Sequence, residues 1–276
     1  MLRLCPAWRR WLPPFLGSVT IPALISRRDP AARVGGAAAK EPEEARFVLE
    51  RRLHSASRLL SRTRSPGASS RYMETERIYS PAEWATKERA VTETLDRYRP
   101  SNVLDIGCNT GFFSRVAART GASVVAIDQD PEALGEAWKT AEAEGLAILP
   151  LVVNLARPPG GCGWSNDEFA GFLERARGKF EGVLMLALLH HLVVNERVPI
   201  ESIFDLAASL TTRLLVLEYV DPADPQFRRI SRGRDALYRD LTVDTFEMSA
   251  RRRFDIADAR TLTPTRRIYT LEKRRR

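Results

Sequence analysis

The residues that invite chemistry begin with Val103-Leu104-Asp105-Ile106-Gly107-Cys108-Asn109-Thr110-Gly111-Phe112-Phe113, an apolar run that turns through two glycines into another apolar run. A buried strand turning tightly into a helix brings backbone close to the strand tip, where open α/β sheets hold their ligands. Gly107 allows the sharp turn and close approach of a ligand, and Gly111 lets the helix start pack tightly. Asn109 sits where a left-handed backbone is expected, a conformation that Asn tolerates better than most residues. Twenty-one residues past Gly107, the strand Val124-Val125-Ala126-Ile127 ends in Asp128, followed by Gln129. A carboxylate at that tip is placed to accept the hydrogens of a ribose diol. The Gly-x-x-x-Gly spacing lacks the middle glycine that lets a pyrophosphate lie on bare backbone, because Asn109 stands there. Asp105 beside the turn is unhelpful to a phosphate and suits a cation. The expected ligand therefore carries a ribose and a positive charge, without phosphate.

Two further groups stand where strands end. Leu189-His190-His191-Leu192 holds two of the three histidines in the chain. Either could act as general base toward a hydroxyl or amine, since imidazole titrates near working pH. The other reading is a turn cap beside a half-buried packing residue, and in-line transfer to a well-aligned nucleophile needs no base at all. After the fifth strand come Glu218, then four arginines between Phe227 and Arg234. Glu218, Arg232 and Arg234 are candidates for holding an acceptor, with paired hydrogen bonds to a carboxylate or phosphate in mind. The alternative for the arginines is a solvated helical turn.

The elements that position these groups alternate regularly. Ser80-Pro81-Ala82-Glu83 opens a helix running to about Tyr98. Strands are expected at 102–106, 123–127, 147–153, 182–187 and 213–220, with helices at 111–119, 131–144, 167–177 and 199–210 between them. That order predicts a Rossmann-like α/β fold, a mostly parallel sheet with helices on both faces. The end differs: a helix at 243–251 precedes 254–259 and 267–271, which lie too close for a crossover and suit an antiparallel hairpin. The Gly/Pro-rich loop from Pro158 to Trp164 could cover a ligand, with Trp164 stacking on it or anchoring the loop.

Charge separates the chain into two parts. The net charge is +8 over 276 residues, yet residues 1–70 carry 13 basic against 5 acidic groups while the remainder carries 30 of each. The excess belongs to a leader, and 71–276 is expected to be the catalytic domain. An electrically balanced body counts against a nucleic-acid-binding face. The leader's acid-poor start and its apolar stretch, too short to span a bilayer, leave open a disordered arm or an organelle import signal. Three scattered cysteines with no Cys-x-x-Cys argue against a disulfide framework or a zinc site and fit a reducing, cytoplasmic setting.

Asp-Ile-Gly-Cys-Asn-Thr-Gly-Phe-Phe-Ser from Asp105, with Val-Ala-Ile-Asp ending at Asp128, closely resembles the first two motifs of class I S-adenosylmethionine-dependent methyltransferases. The resemblance covers about Arg71 to Lys273 and looks nearest to bacterial nodulation-type members. It implies a seven-stranded sheet and S-adenosylmethionine as cofactor, with Asp105, Gly107, Asn109, Gly111, Asp128 and Gln129 around it. It also implies that Asn154 meets the adenine edge and Leu155 its face, although Asn154 taken alone suits a turn equally well. Tyr79 or Lys87 would touch the methionine carboxylate, beneath a covering segment that starts at Arg71. The acceptor expected is a small molecule; an RNA-binding module using the leader and an inactive partner subunit are the alternatives.

Overall fold

The computed structural model describes residues 79–274. The leader and the covering segment from Arg71 to Ile78 lie outside the described residues. Helix α1 (Pro81–Tyr98) starts at a complete capping box, in which Ser80 and Glu83 satisfy each other's backbone N–H, and ends at Arg99 in a left-handed conformation before Pro100. Then follow β1 (Asn102–Ile106), α2 (Phe112–Arg119), β2 (Ser123–Asp128), α3 (Pro131–Glu144) and β3 (Ile148–Val152). Asp130 caps α3, and Gly145 closes it with a left-handed turn.

The chain continues through α4 (Phe172–Ala176), β4 (Phe180–Met185), α5 (Leu189–Val194), α6 (Ile200–Leu210) and β5 (Thr211–Val220). Last come α7 (Pro225–Ser231), α8 (Val243–Arg251), β6 (Phe254–Thr263) and β7 (Arg266–Lys273). The seven strands form one sheet in the order β3-β2-β1-β4-β5-β7-β6. Strands β1 to β5 pair in parallel, whereas β7 lies antiparallel between β5 and β6. The predicted Rossmann-like fold and its terminal hairpin are both present.

Alternation along each strand sorts side chains between two cores. Val103, Val124, Leu184 and Val216 pack against α1 and α2, through Val91, Leu95, Phe113 and Val116. Leu104, Ile106, Val183 and Leu217 face the other way, toward Phe204 of α6 and Phe246 of α8. The same alternation puts Asp105 on the α1–α2 side, beside Ser114 of α2.

Three expectations need correction. The helix expected at 167–177 shrinks to α4, because the backbones of Cys162 and Phe169 pair as an isolated bridge and hold the preceding residues in a loop. Trp164 does not anchor that loop by burial: it is 84% exposed. The strand expected to reach Ala187 stops at Met185, and the histidines that follow belong to a short helix, α5.

Candidate cofactor and acceptor site

The order of strands reverses between β1 and β4, since β1 continues to β2 on one side and the chain returns to β4 on the other. A crevice is expected there, outside the carboxyl ends of the strands. A cavity of about 680 Å³ occupies that place. Its wall includes Asp105, Gly107, Asn109, Asp128, Gln129, Asn154 and Leu155, together with both histidines of α5.

The turn after β1 is closed by its own hydrogen bonds. Gly107 and Cys108 both donate their N–H to the carbonyl of Ile127, at 2.8 and 3.1 Å. Asn109 donates to Asp128 Oδ2 at 2.9 Å, Thr110 to Asn109 Oδ1 at 2.7 Å, and Gly111 to the Cys108 carbonyl at 2.9 Å. Every N–H from 107 to 111 is therefore engaged within the protein. A pyrophosphate cradle works by leaving such groups free, so this loop is not one. Asn109 takes the left-handed conformation expected of it, φ +50°. Gly111 has φ +76°, and a Cβ there would stand 2.9 Å from that of Ala137 in α3. Its bareness serves helix packing, as the spacing suggested.

Asp128 is held at both oxygens, by Asn109 N–H and by Asp130 N–H at 3.0 Å. Fixed this way, its remaining lone pairs have a set direction. Asp105 is almost fully buried and accepts a hydrogen bond from Ser114 Oγ at 2.6 Å. Burial pushes its carboxyl up to about 6; the Ser114 hydroxyl opposes that rise and the charge on Asp128 adds to it. Asn154 performs a turn-forming role: Oδ1 accepts from the N–H groups of Ala156 and Arg157 at 2.9 and 3.2 Å, while Nδ2 donates to Gln129 Oε1 at 3.0 Å. Leu155 presents an apolar, buried side chain to the cavity.

At the other end, α1 and the first residue of β7 bring in charges that motif reasoning missed in part. Lys87 pairs with Glu218 Oε2 at 2.6 Å, and its ammonium sits within 4.9–5.7 Å of the Tyr79, Phe113 and Trp84 rings. Arg266 grips Asp224 through Nε and Nη2 at 2.8 and 2.9 Å, and donates from Nη1 to Glu218 Oε1 and to the Tyr79 hydroxyl, both at 3.1 Å. Tyr79 in turn donates to Glu218 Oε1. Burial alone would raise the Glu218 carboxyl, but the flanking Lys87 and Arg266 charges hold it below the usual carboxylate range. Arg266, Lys87 and Tyr79 all reach the cavity wall. Nothing in the sequence near Arg266 marks it, because its partners lie 42, 48 and 187 residues away.

The expected acceptor residues do not converge on the cavity. Glu218 is 0% exposed, absent from the wall, and spent on Lys87, Arg266 and Tyr79. Arg232 ends α7 as an exposed left-handed cap, and Arg234 donates from Nε to the Ser231 carbonyl at 2.9 Å; neither reaches the wall. The solvated-turn reading of that arginine cluster is the one its placement favours. His190 and His191 do line the cavity, with ring centroids 4.2 Å apart. Burial lowers both imidazoles below their ordinary value, that of His190 strongly, with the His191 and Arg266 charges adding to it. Both are therefore neutral near pH 7.

Among the described residues there is no cluster of three or more metal-ligating side chains and no helix long and apolar enough to cross a membrane. Comparison with known proteins bears on the same segment. A family model described as a methyltransferase domain matches residues 75–261. Nodulation protein NoeA of Rhizobium meliloti (strain 1021) is 28% identical over 197 residues, which are 71% of this chain and 41% of NoeA. The chain thus spans about two fifths of that relative's length. Among solved structures, N-methyltransferase NodS from Bradyrhizobium japonicum WM9 superposes with a TM-score of 0.51 at 14% identity, over 70% of this chain and 98% of NodS. PH0226 protein from Pyrococcus horikoshii OT3 does so with a TM-score of 0.51 at 13% identity, over 74% and 99%. At such identities these two attest the fold. With the family match over most of the described residues, and with the N–H groups of the loop 107–111 all engaged within the protein, the chain belongs to the class I S-adenosylmethionine-dependent methyltransferases.

Proposed function

We propose that this chain transfers the methyl group of S-adenosylmethionine to a small-molecule acceptor held against α5. The observation that carries the reading is the loop at 107–111, whose N–H groups are all engaged while Asp128 stands oriented at the cavity wall. When bound, the cofactor supplies a methyl group activated by its sulfonium. The protein's part is to hold and align. Asp128 accepts from the ribose hydroxyls, Leu155 packs on the adenine, and Gln129 and Asn154 border its edge. Asp105 offers a carboxylate to the ammonium of the methionine end. Lys87 and Tyr79 approach the methionine carboxylate, with Lys87 held in place by Glu218 and the three rings. His190 and His191 remain for the acceptor, at the strand end nearest the transferred group. Alignment of nucleophile and methyl within the cavity supplies most of what such a transfer requires.

No observation among the described residues favours an RNA-binding module or an inactive partner subunit. Calorimetry of the full chain with S-adenosylhomocysteine tests the cofactor half of the proposal, and a nicotinamide dinucleotide serves as control. The first should bind and the second should not; the reverse order would end the proposal. A labelled-methyl screen over RNA, protein and small-molecule fractions tests the other half. Label confined to RNA or protein would overturn the acceptor class while leaving the cofactor assignment intact.

A further inference from the structure

His190 and His191 are adjacent in sequence, yet the fold treats them differently. His191 is half-buried, and its Nδ1 lies 3.2 Å from the side-chain amide of the exposed Asn195, a group that can offer either a donor or an acceptor. His190 is 2% exposed, and its Nδ1 is buried with no hydrogen-bond partner. Its ring lies against Phe227, with centroids 6.5 Å apart and the planes at 26°. The same ring forms part of the cavity wall, so Nε2 is the edge left to meet a ligand.

That asymmetry decides where the proton sits. A neutral imidazole carries one N–H, and the partner of one nitrogen sets the state of the other. On Nδ1 the hydrogen would be a buried donor with no acceptor, the rarer and costlier kind of orphan. On Nε2 it points into the cavity, and Nδ1 keeps only an unused lone pair. We infer that His190 meets the methyl acceptor as a hydrogen-bond donor through Nε2–H, and that the acceptor presents an oxygen there, either a carboxylate or a carbonyl. This rests on the methyltransferase reading and deepens it, by naming a chemical group that the acceptor must bear. His190 then orients the acceptor and abstracts nothing from it. Any base role passes to His191, whose Nε2 becomes free when the Asn195 amide turns its oxygen toward Nδ1.

The test is nitrogen-15 NMR of the histidine rings in the full-length protein saturated with S-adenosylhomocysteine, with His190→Gln and His191→Gln variants used to assign the signals. Saturation by calorimetry comes first, so a failure of the cofactor reading is seen separately. The expected result is His190 with a protonated Nε2 and a bare Nδ1 at neutral pH. A protonated Nδ1 overturns the inference, as does a His190 ring that is cationic at pH 7. Acetate, acetamide and methylamine are then added at matched concentrations as probes. A shift of the His190 Nε2–H signal with acetate alone identifies an ionised oxygen as the preferred partner, and a shift with acetamide a neutral carbonyl. A response to methylamine alone, or to none of the three, overturns the oxygen assignment.

Discussion

The two ends of the cavity are built by opposite means. At the end proposed for the ribose, the loop 107–111, the tip of β2 and Asp128 make contacts at short range: Asn109 and Asp128 are 19 residues apart, and their bond joins backbone to side chain. At the end proposed for the methionine part, the decisive contacts join side chains from α1, β5, the start of α7 and β7, and Arg266 reaches Tyr79 across 187 residues. One end depends on dihedral angles that a few residue types make possible. The other depends on buried charges that are tolerable only when all of them meet. The difference suggests that damage at the ribose end will weaken binding while the fold survives, and that damage at the methionine end will unfold the protein.

Arg266→Met is the sharpest way to break that contrast. It leaves Asp224 without its cation and removes half of the charge around Glu218, both in a dry environment. Losing one partner of a buried pair costs about 3–5 kcal/mol, and urea unfolding should show it. A loss below about 1 kcal/mol would mean that the network is ornamental to stability. Asp128→Ala is the counterpart. Removing the proposed charged acceptor of the ribose hydroxyls should weaken S-adenosylhomocysteine binding on the order of 100-fold by calorimetry, with the circular dichroism spectrum unchanged. Unchanged affinity would remove Asp128 from the ribose.

Gly111→Ala sits between these extremes. It places a methyl group 2.9 Å from the Cβ of Ala137 and forces Ala into φ +76°, which together should cost about 2 kcal/mol. Adding Ala137→Gly should restore the part due to contact and leave the part due to the dihedral angle, and thermal unfolding of the pair separates the two. The smallest effect is a pH dependence. Asp105 has a carboxyl pushed up to about 6, and in the proposed reading it receives the ammonium of the cofactor. A cation binds the ionised form, so protonation competes with it: affinity should be flat above pH 7 and fall roughly tenfold per unit below 6. Ser114→Ala removes the hydroxyl that opposes the rise and should move this fall to higher pH. A profile unmoved between pH 5 and 7.5 would place the ammonium elsewhere.

Legibility followed the same divide. The strand at 102–106, the helices at 131–144 and 243–251, and the terminal hairpin could be read directly, since caps, glycines and period-two alternation are local signals. Asp105, Gly107, Asn109, Asp128 and Leu155 were legible as a group because one turn and two strand ends must converge. The helix at 167–177 was misjudged because the cross-loop pairing of Cys162 with Phe169 outweighs local propensity. Glu218 was visible by its type and position, but its three partners, Lys87, Arg266 and Tyr79, were not.

By itself, then, the sequence of Asp105 to Gly111 with Asp128 determined the character of the ligand, because the conformations that make the loop belong to individual residues. Only the tertiary structure decided which charges stand at the far end of the cavity and which histidine nitrogen is buried without a partner. Arg266 acquires its role from Asp224, Glu218 and Tyr79, and His190 from the dry surroundings of its Nδ1. A charge or a ring nitrogen has no function until burial takes away its water and leaves it a particular set of neighbours.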